Sequence, residues 1–236
     1  MNLQDSVVFI TGANRGLGLA FAKAALAAGA RKVYGAARDA STVTLPGVTP
    51  VALDVTNPEQ IEAAARACGD VTVLVNNAGI SRGTNLLDAD SVDAARAELE
   101  TNFFGPWLLA RAFASVLARN GGGAIVNVLS ALAWTTFPSV ATYSATKSAA
   151  WSLSNGLRNE LAGQGTQVVS VHVGYMDTDM AAHVDGPKTS PDDVARQAFD
   201  AVQAGRVEVL ADEVSRQLKQ GLSSAKPPYA ASAVAA

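Results

Sequence analysis

Tyr143 and Lys147 stand at i and i+4 in the run Tyr143-Ser144-Ala145-Thr146-Lys147. On a helix this spacing puts both side chains on one face. A lysine ammonium about 4 Å from a phenol, at an effective dielectric near ~20, favours the phenolate by roughly 4 kcal/mol, or about three pK units. The expectation is a phenol that titrates near pH ~7 instead of ~10 and so gives or takes a proton at neutral pH. In isolation the same pattern is an exposed lysine next to a half-buried tyrosine, so the rest of the chain has to decide its meaning.

The elements that must position such a pair begin near the N-terminus. Val7, Val8, Phe9 and Ile10 form a short apolar run, followed by Thr11-Gly12-Ala13-Asn14-Arg15-Gly16-Leu17-Gly18 and a helical pattern through Leu19, Phe21, Ala25 and Leu26 to Gly29. Strand, glycine-rich turn and helix in that order make a phosphate site. Glycines let the backbone approach a pyrophosphate, and the free N–H groups of the helix start point at it. An ordinary glycine-rich strand-to-helix turn has the same composition, so the motif also depends on its context.

Three motifs supply that context: T-G-x-x-x-G-x-G at Thr11 to Gly18, N-N-A-G at Asn76 to Gly79, and Y-x-x-x-K at Tyr143 to Lys147. In order and interval they resemble the short-chain dehydrogenase/reductase family, over about Val7 to Thr178. The resemblance implies an oxidoreductase with a bound nicotinamide cofactor. It implies Asn102, Ser130, Tyr143 and Lys147 as catalytic residues. For the cofactor it implies Gly12, Asn14, Arg15, Gly16, Leu17, Gly18, Asp54, Val55, Asn77, Ala78, Gly79, Gly174 and Thr178, joined by Arg38, Tyr143 and Lys147. Within that set Asp54 is expected to bond the adenine amino group, Val55 to touch the adenine ring, and Thr178 to meet the nicotinamide carboxamide. Ser130 would hold the substrate carbonyl, and Asn102 would support a water-linked proton path to Lys147. As structural residues, Ser130 would be a strand-end cap and Asn102 a side chain bonded to backbone.

Cofactor choice is expected to be decided after the second strand, where an NAD-preferring site offers a carboxylate to the ribose about 20 residues beyond the glycine turn. The chain reads Gly35-Ala36-Ala37-Arg38 there. Arg38 and Arg15 are both suited to a 2′-phosphate, since a guanidinium matches phosphate geometry. NADP(H) is therefore expected over NAD(H), with Asp39 leaving a ribose diol as the open alternative.

Composition bounds the rest. With 236 residues, 49% hydrophobic and 17% charged, the chain is that of a globular protein with a large core. No apolar stretch approaches the ~18 residues a membrane span needs, and Asp5 precedes the first apolar run, so a cytoplasmic protein is expected. A net charge of −3 gives no footprint for nucleic acid, the single Cys68 forms no internal disulfide, and His172 and His183 give no metal-ligand spacing. Strand candidates are Val7 to Ile10, Lys32 to Ala37, Val51 to Val55, Val71 to Asn76, Ala124 to Leu129, Gln167 to Val173 and Val207 to Leu210. They alternate with helices, which predicts an α/β protein with a doubly wound parallel sheet, a Rossmann fold, in a single domain over 1–222. Ser223 to Ala236 is expected to be a mobile tail.

Two departures from the family pattern bear on function. Val173 replaces the proline expected before Gly174, and the final strand lacks the usual Gly-Gly ending. Ala131, Leu132, Trp134, Phe137, Tyr175 and Met180 are candidates for an apolar pocket accepting a small carbonyl or alcohol substrate, or else for core. Reduction of carrier-bound 3-oxoacyl groups and a non-enzymatic redox sensor are the alternatives. The helical regions Ser91 to Arg119 and Ala141 to Ala162 resemble those that pair across family dimers, so a homodimer or homotetramer is expected.

Overall fold

Val7–Thr11 forms strand β1 and is buried along its whole length, as a near-continuous apolar run in a parallel sheet must be. The computed structural model describes residues 1–230. Six more strands follow: β2 Lys32–Ala37, β3 Val48–Ala52, β4 Val73–Asn76, β5 Ala124–Val128, β6 Gln167–His172 and β7 Glu208–Leu210. They pair in the order β3-β2-β1-β4-β5-β6-β7, every pair parallel. The order reverses between β1 and β4, and in such sheets ligands bind at that crevice, beyond the carboxyl ends of the strands.

Helices cover both faces. On one side α1 (Gly16–Ala27) and α6 (Pro191–Gln203) pack with Phe21 and Phe199 edge to face at 5.3 Å. On the other side lie α2 (Pro58–Ala67), α4 (Gly105–Arg119) and α5 (Ala141–Leu161), whose core meets the sheet through Phe9 and Phe113 at 5.0 Å. Each such fully buried aromatic contributes about 2–3 kcal/mol of transfer free energy. Asn57 caps α2 by accepting from the Gln60 N–H, with Pro58 in the first turn, as the sequence predicts. Helix α3 (Ser91–Leu99) precedes α4, and α7 (Glu213–Gly221) follows β7.

Most strand ends shift by one or two residues, and three larger differences from expectation bear on the site or the chain's end. The third strand starts at Val48 and ends at Ala52, so Asp54 and Val55 lie beyond it. The region from Ser91 to Arg119 is two helices joined by a wider π-type turn at Glu100–Phe104, in which the Gly105 N–H donates to the Glu100 carbonyl five residues back. Pro106 has no N–H to give a regular helical bond there. Residues 231–236 of the expected tail lie outside the described residues, and the chain before them makes a short turn at Pro228–Ala230.

Candidate active site

The glycine turn leaves β1 with Gly12 at φ 66° and Gly16 at φ 52°, conformations that glycine adopts without penalty. Gly18 is needed for a different reason. A Cβ there would lie 2.0 Å from the Gly12 carbonyl oxygen and 2.7 Å from Asn77 Nδ2, so α1 rests directly on the turn. Arg15, at the N-cap of α1, makes no side-chain capping bond. The first N–H groups of α1 are therefore free of a side-chain partner, in a turn bounded by Asn14 and Leu17, which is the arrangement an anionic pyrophosphate requires. The turn is fixed from behind. Thr11 Oγ1 accepts from the Asn77 and Ala78 N–H groups, both at 3.0 Å, and Asn77 Nδ2 donates to the Thr11 carbonyl at 2.8 Å.

At the far end of the crevice Arg38 is exposed just after β2. Asp39 is committed elsewhere: it caps the next turn, accepting from Ser41 N at 3.0 Å and Ser41 Oγ at 2.7 Å. Asp54 accepts from the N–H and hydroxyl of Thr56, and these bonds, helped by the Arg38 charge, hold its carboxyl below the usual value. Val55 is buried against Gly105. Arg15 turns away from this end to pair with Asp179 at 2.7 Å across the mouth of the crevice, both side chains largely exposed.

The four polar residues expected at the reacting end converge near the carboxyl ends of β4 and β5. Asn102 sits in the π-type turn, almost fully buried. Its Oδ1 accepts from the Ile80 N–H at 2.9 Å, and its Nδ2 donates to the Ile80 carbonyl and to Thr146 Oγ1. Thr146 in turn donates to the Tyr143 carbonyl, tying that turn to α5. Gly79 is packed against both groups, since a Cβ there would stand 3.2 Å from Asn102 Oδ1 and 3.8 Å from Lys147 Nζ. Ser130 lies two residues beyond β5; its Oγ accepts from the Leu132 N–H and donates to the Val173 carbonyl at 3.4 Å.

Lys147 differs from the sequence expectation. Its Nζ donates to the Val128 carbonyl at 2.9 Å and lies 5.5 Å from the centre of the Tyr143 ring, beside the phenol but not against its hydroxyl. Burial brings its pKa down to about 8. Tyr143, half-buried by surface area, is moved above the ordinary phenol value by desolvation and by the charge of Glu98, with the Ser130 hydroxyl pulling the other way. Desolvation is thus the dominant influence, and the phenol stays protonated at neutral pH. Lys147 also borders an internal cavity of about 10 Å³ lined by Asn76, Asn102, Asn127 and Val128. Asn76 Oδ1 has no partner among the described residues, so the cavity has the room and the polar lining that one water needs.

Gly174 and Thr178 lie on the loop after β6. A Cβ on Gly16 would sit 3.3 Å from Thr178 Cγ2, so this loop and the glycine turn face one another. Val173, in the position of the expected proline, is buried and its carbonyl accepts from the Ala131 N–H. Of the proposed pocket residues, Ala131 and Trp134 are core, Trp134 stacking on His172 at 4.0 Å, whereas Phe137, Tyr175 and Met180 are about half exposed.

Two residues that sequence reasoning passed over stand close to the site. Glu98 is fully buried on α3, with Oε1 accepting from the Arg82 N–H at 2.6 Å and Oε2 without a partner among the described residues. Its signal was the four-residue spacing to Asn102, because both side chains hold the 80–82 segment. His172 is buried beneath Ser130, its Nδ1 at 3.1 Å from the Ser130 carbonyl. A histidine inside an apolar strand was the available clue. Among the described residues no cluster of metal-ligating side chains exists, and no helix is long and apolar enough to cross a membrane.

The family model for short chain dehydrogenase matches residues 6–188, which include the glycine turn and the Tyr143/Lys147 pair. The chain belongs to the short-chain dehydrogenase/reductase family. Its sheet order and covering helices are those of a Rossmann-type oxidoreductase of this family. A crystal structure of a short chain dehydrogenase from Burkholderia cenocepacia J2315 in complex with NADP is 41% identical, with a TM-score of 0.91 and 96% of each chain covered. The 3-oxoacyl-[acyl-carrier-protein] reductase FabG of Vibrio cholerae is 33% identical over 217 residues, covering 88% of this chain and 86% of that one. The short chain dehydrogenase tazN of Aspergillus terreus is 35% identical over 208 residues; 81% of this chain is covered, but only 45% of that protein. A short chain dehydrogenase/reductase from Burkholderia phymatum in complex with NAD, 24% identical with a TM-score of 0.84 over the whole of both chains, shares the fold.

Proposed function

We propose that the protein is an NADP(H)-dependent reductase of a small, hydrophobic carbonyl compound, with alcohol oxidation as the reverse reaction. The observation that carries this reading is the convergence of Asn102, Ser130, Tyr143 and Lys147 beside the crevice where the strand order reverses. The glycine turn, Asn77 and the Gly174–Thr178 loop would hold the cofactor, which supplies or accepts the hydride when bound. Ser130 Oγ would hold the carbonyl oxygen, and Tyr143 would deliver a proton to it. A phenol kept protonated at neutral pH by desolvation suits the reductive direction, since the proton is present when the alkoxide develops. Lys147 would orient the cofactor ribose and refill Tyr143 through the small polar cavity.

Preference for NADP(H) is supported by the exposed Arg38 at the end of β2 and by Asp39, whose carboxylate is occupied by Ser41. The NADP complex of the Burkholderia cenocepacia relative points the same way. Arg15 would join Arg38 only by exchanging Asp179 for the 2′-phosphate. The half-exposed Phe137, Tyr175 and Met180 favour an apolar substrate. Phe103, Phe104 and Trp107, an aromatic group with Phe104 and Trp107 exposed on α4 and the turn before it, support self-association. Likeness to FabG favours a second reading, reduction of carrier-bound 3-oxoacyl groups, which substrate competition separates from the first.

The test is a titration with NADPH and NADH followed by a carbonyl screen with the tighter cofactor. NADPH is expected to bind at least tenfold more tightly, given roughly 1.5–3 kcal/mol for a charge-assisted bond to the 2′-phosphate. Tyr143→Phe is expected to lose turnover and keep cofactor binding. Equal binding of the two cofactors would remove Arg38 as a phosphate ligand, and a fully active Tyr143→Phe protein would remove the phenol from the mechanism.

A further inference from the structure

Asp212 lies after β7, outside every motif of the sequence and beyond the region matched by the family model. It is the N-cap of α7, and its Oδ1 accepts from the Ser215 N–H at 2.8 Å. The other carboxylate oxygen does something a cap does not require. Oδ2 accepts from the Gly174 N–H at 2.6 Å and from Thr189 Oγ1 at 3.3 Å. One side chain therefore joins the start of the C-terminal helix to both ends of the loop that carries Thr178. The loop is also closed on itself, with Asp177 N donating to the Thr189 carbonyl and Thr189 N to the Tyr175 carbonyl. The loop is also held by the Arg15–Asp179 pair and by Thr178, which faces the glycine turn so that a Cβ on Gly16 would lie 3.3 Å from its Cγ2, while the Val173 carbonyl accepts from the Ala131 N–H; without Asp212 the Gly174 N–H would lose its partner. The glycine is matched to the contact: a Cβ at residue 174 would lie 3.1 Å from Oδ2. The segment also has less intrinsic stiffness than a proline would give it, because Val173 leaves φ unrestricted there.

We propose that Asp212 is a positioning residue that sets the Gly174–Thr178 loop against the nicotinamide end of the cofactor, with the capping of α7 as its anchor. The inference rests on the cofactor reading above. A short, charge-assisted bond to a backbone N–H holds a loop more firmly than a neutral one, and displacement of a positioning group by about 1 Å costs on the order of a hundredfold in rate.

Asp212→Ser separates the two roles. Serine caps a helix as well as aspartate does, but its one oxygen cannot also reach Gly174. Asp212→Asn is the second variant: it keeps the side-chain volume, and with its oxygen on Ser215 it sets an amide N–H against the Gly174 N–H. Both are to be titrated with NADPH and NADH and with the nicotinamide-free fragments adenosine 2′,5′-bisphosphate and ADP, alongside thermal melts. The expected result is a roughly tenfold weaker affinity for the preferred whole cofactor, unchanged affinity for its fragment, and a melting temperature close to the parent's. Unchanged affinity for the whole cofactor, or equal loss for cofactor and fragment, would overturn the proposal by making Asp212 inert or merely structural. Wild-type protein that binds neither dinucleotide would defeat the cofactor reading and this inference together.

Discussion

Lys147 shows how a buried ammonium weighs on stability. It is about 5% exposed, has the Val128 carbonyl as its single hydrogen-bond partner among the described residues, and its pKa falls from 10.5 to about 8 because burial disfavours the ammonium. Below pH 8 the folded protein must hold a buried positive charge. Between pH 8 and 10.5 the unfolded chain binds this proton and the folded one does not, so the contribution of Lys147 to stability rises with pH across that window. At 1.36 kcal/mol per unit the ceiling is about 3 kcal/mol, reduced by about 1 kcal/mol for the bond to Val128. Lys147→Met is therefore expected to lower carbonyl reduction by at least about a hundredfold while raising the melting temperature at pH 7. Its advantage should shrink as pH climbs from 8 to 10.5, which melts of both proteins across that range would read. A lower melting temperature at pH 7 would mean that the Val128 bond outweighs the buried charge.

At the scale of elements, the glycine turn was legible because its constraints are local. Gly12 and Gly16 need positive φ, and α1 follows at once. Gly18 carries a sharper requirement, set by the Gly12 carbonyl and Asn77 Nδ2. Gly18→Ala must push α1 off the turn, with an expected loss of about 2–4 kcal/mol by overpacking and a cofactor affinity too weak to titrate; urea melts and NADPH binding measure the two effects. A variant as stable as the parent would mean that α1 moves freely on the turn. The Tyr143/Lys147 spacing is the same kind of short-range pattern, whereas Ser130 and Asn102 were expected only through the family resemblance. What the sequence hid depends on neighbours in space. Strand β3 begins three residues earlier than expected and includes Pro50, which fits because β3 is the edge of the sheet, where a missing N–H is tolerated. The π-type turn that delivers Asn102 has no periodic signature. Nor did the spacing of Tyr143 and Lys147 reveal that desolvation would raise the phenol pKa, since burial is a property of the packed helix and not of the pair.

At the scale of the whole molecule, a buried histidine stands where the C-terminal elements meet the site. His172, fully buried on β6, stacks on Trp134 and reaches the Ser130 carbonyl through Nδ1. Its Nε2 is 3.7 Å from Glu208 on β7, which is bonded to Lys219 of α7 at 2.9 Å. Desolvation brings the histidine pKa from 6.5 down to about 4, against the opposing pull of the Ser130 carbonyl and Glu208. Nδ1 is therefore the neutral ring's donor at pH 7. Because the unfolded chain takes up this proton between pH 6.5 and 4 and the folded chain does not, stability is present above 6.5 and is lost as pH falls through that window. The ceiling is again about 3 kcal/mol, a large share of the ~5–15 kcal/mol that holds a typical domain together. His172→Asn should be less stable than the parent at pH 7, by about 2 kcal/mol for the lost ring packing, and should lose less on acidification. The carboxylates held low in the fold, Asp39, Asp54 and Glu213, are common to both proteins and cancel in the difference. Melting curves from pH 7 to 4 should therefore converge. Parallel curves would place the acid sensitivity elsewhere, and would mean that His172 contributes packing alone.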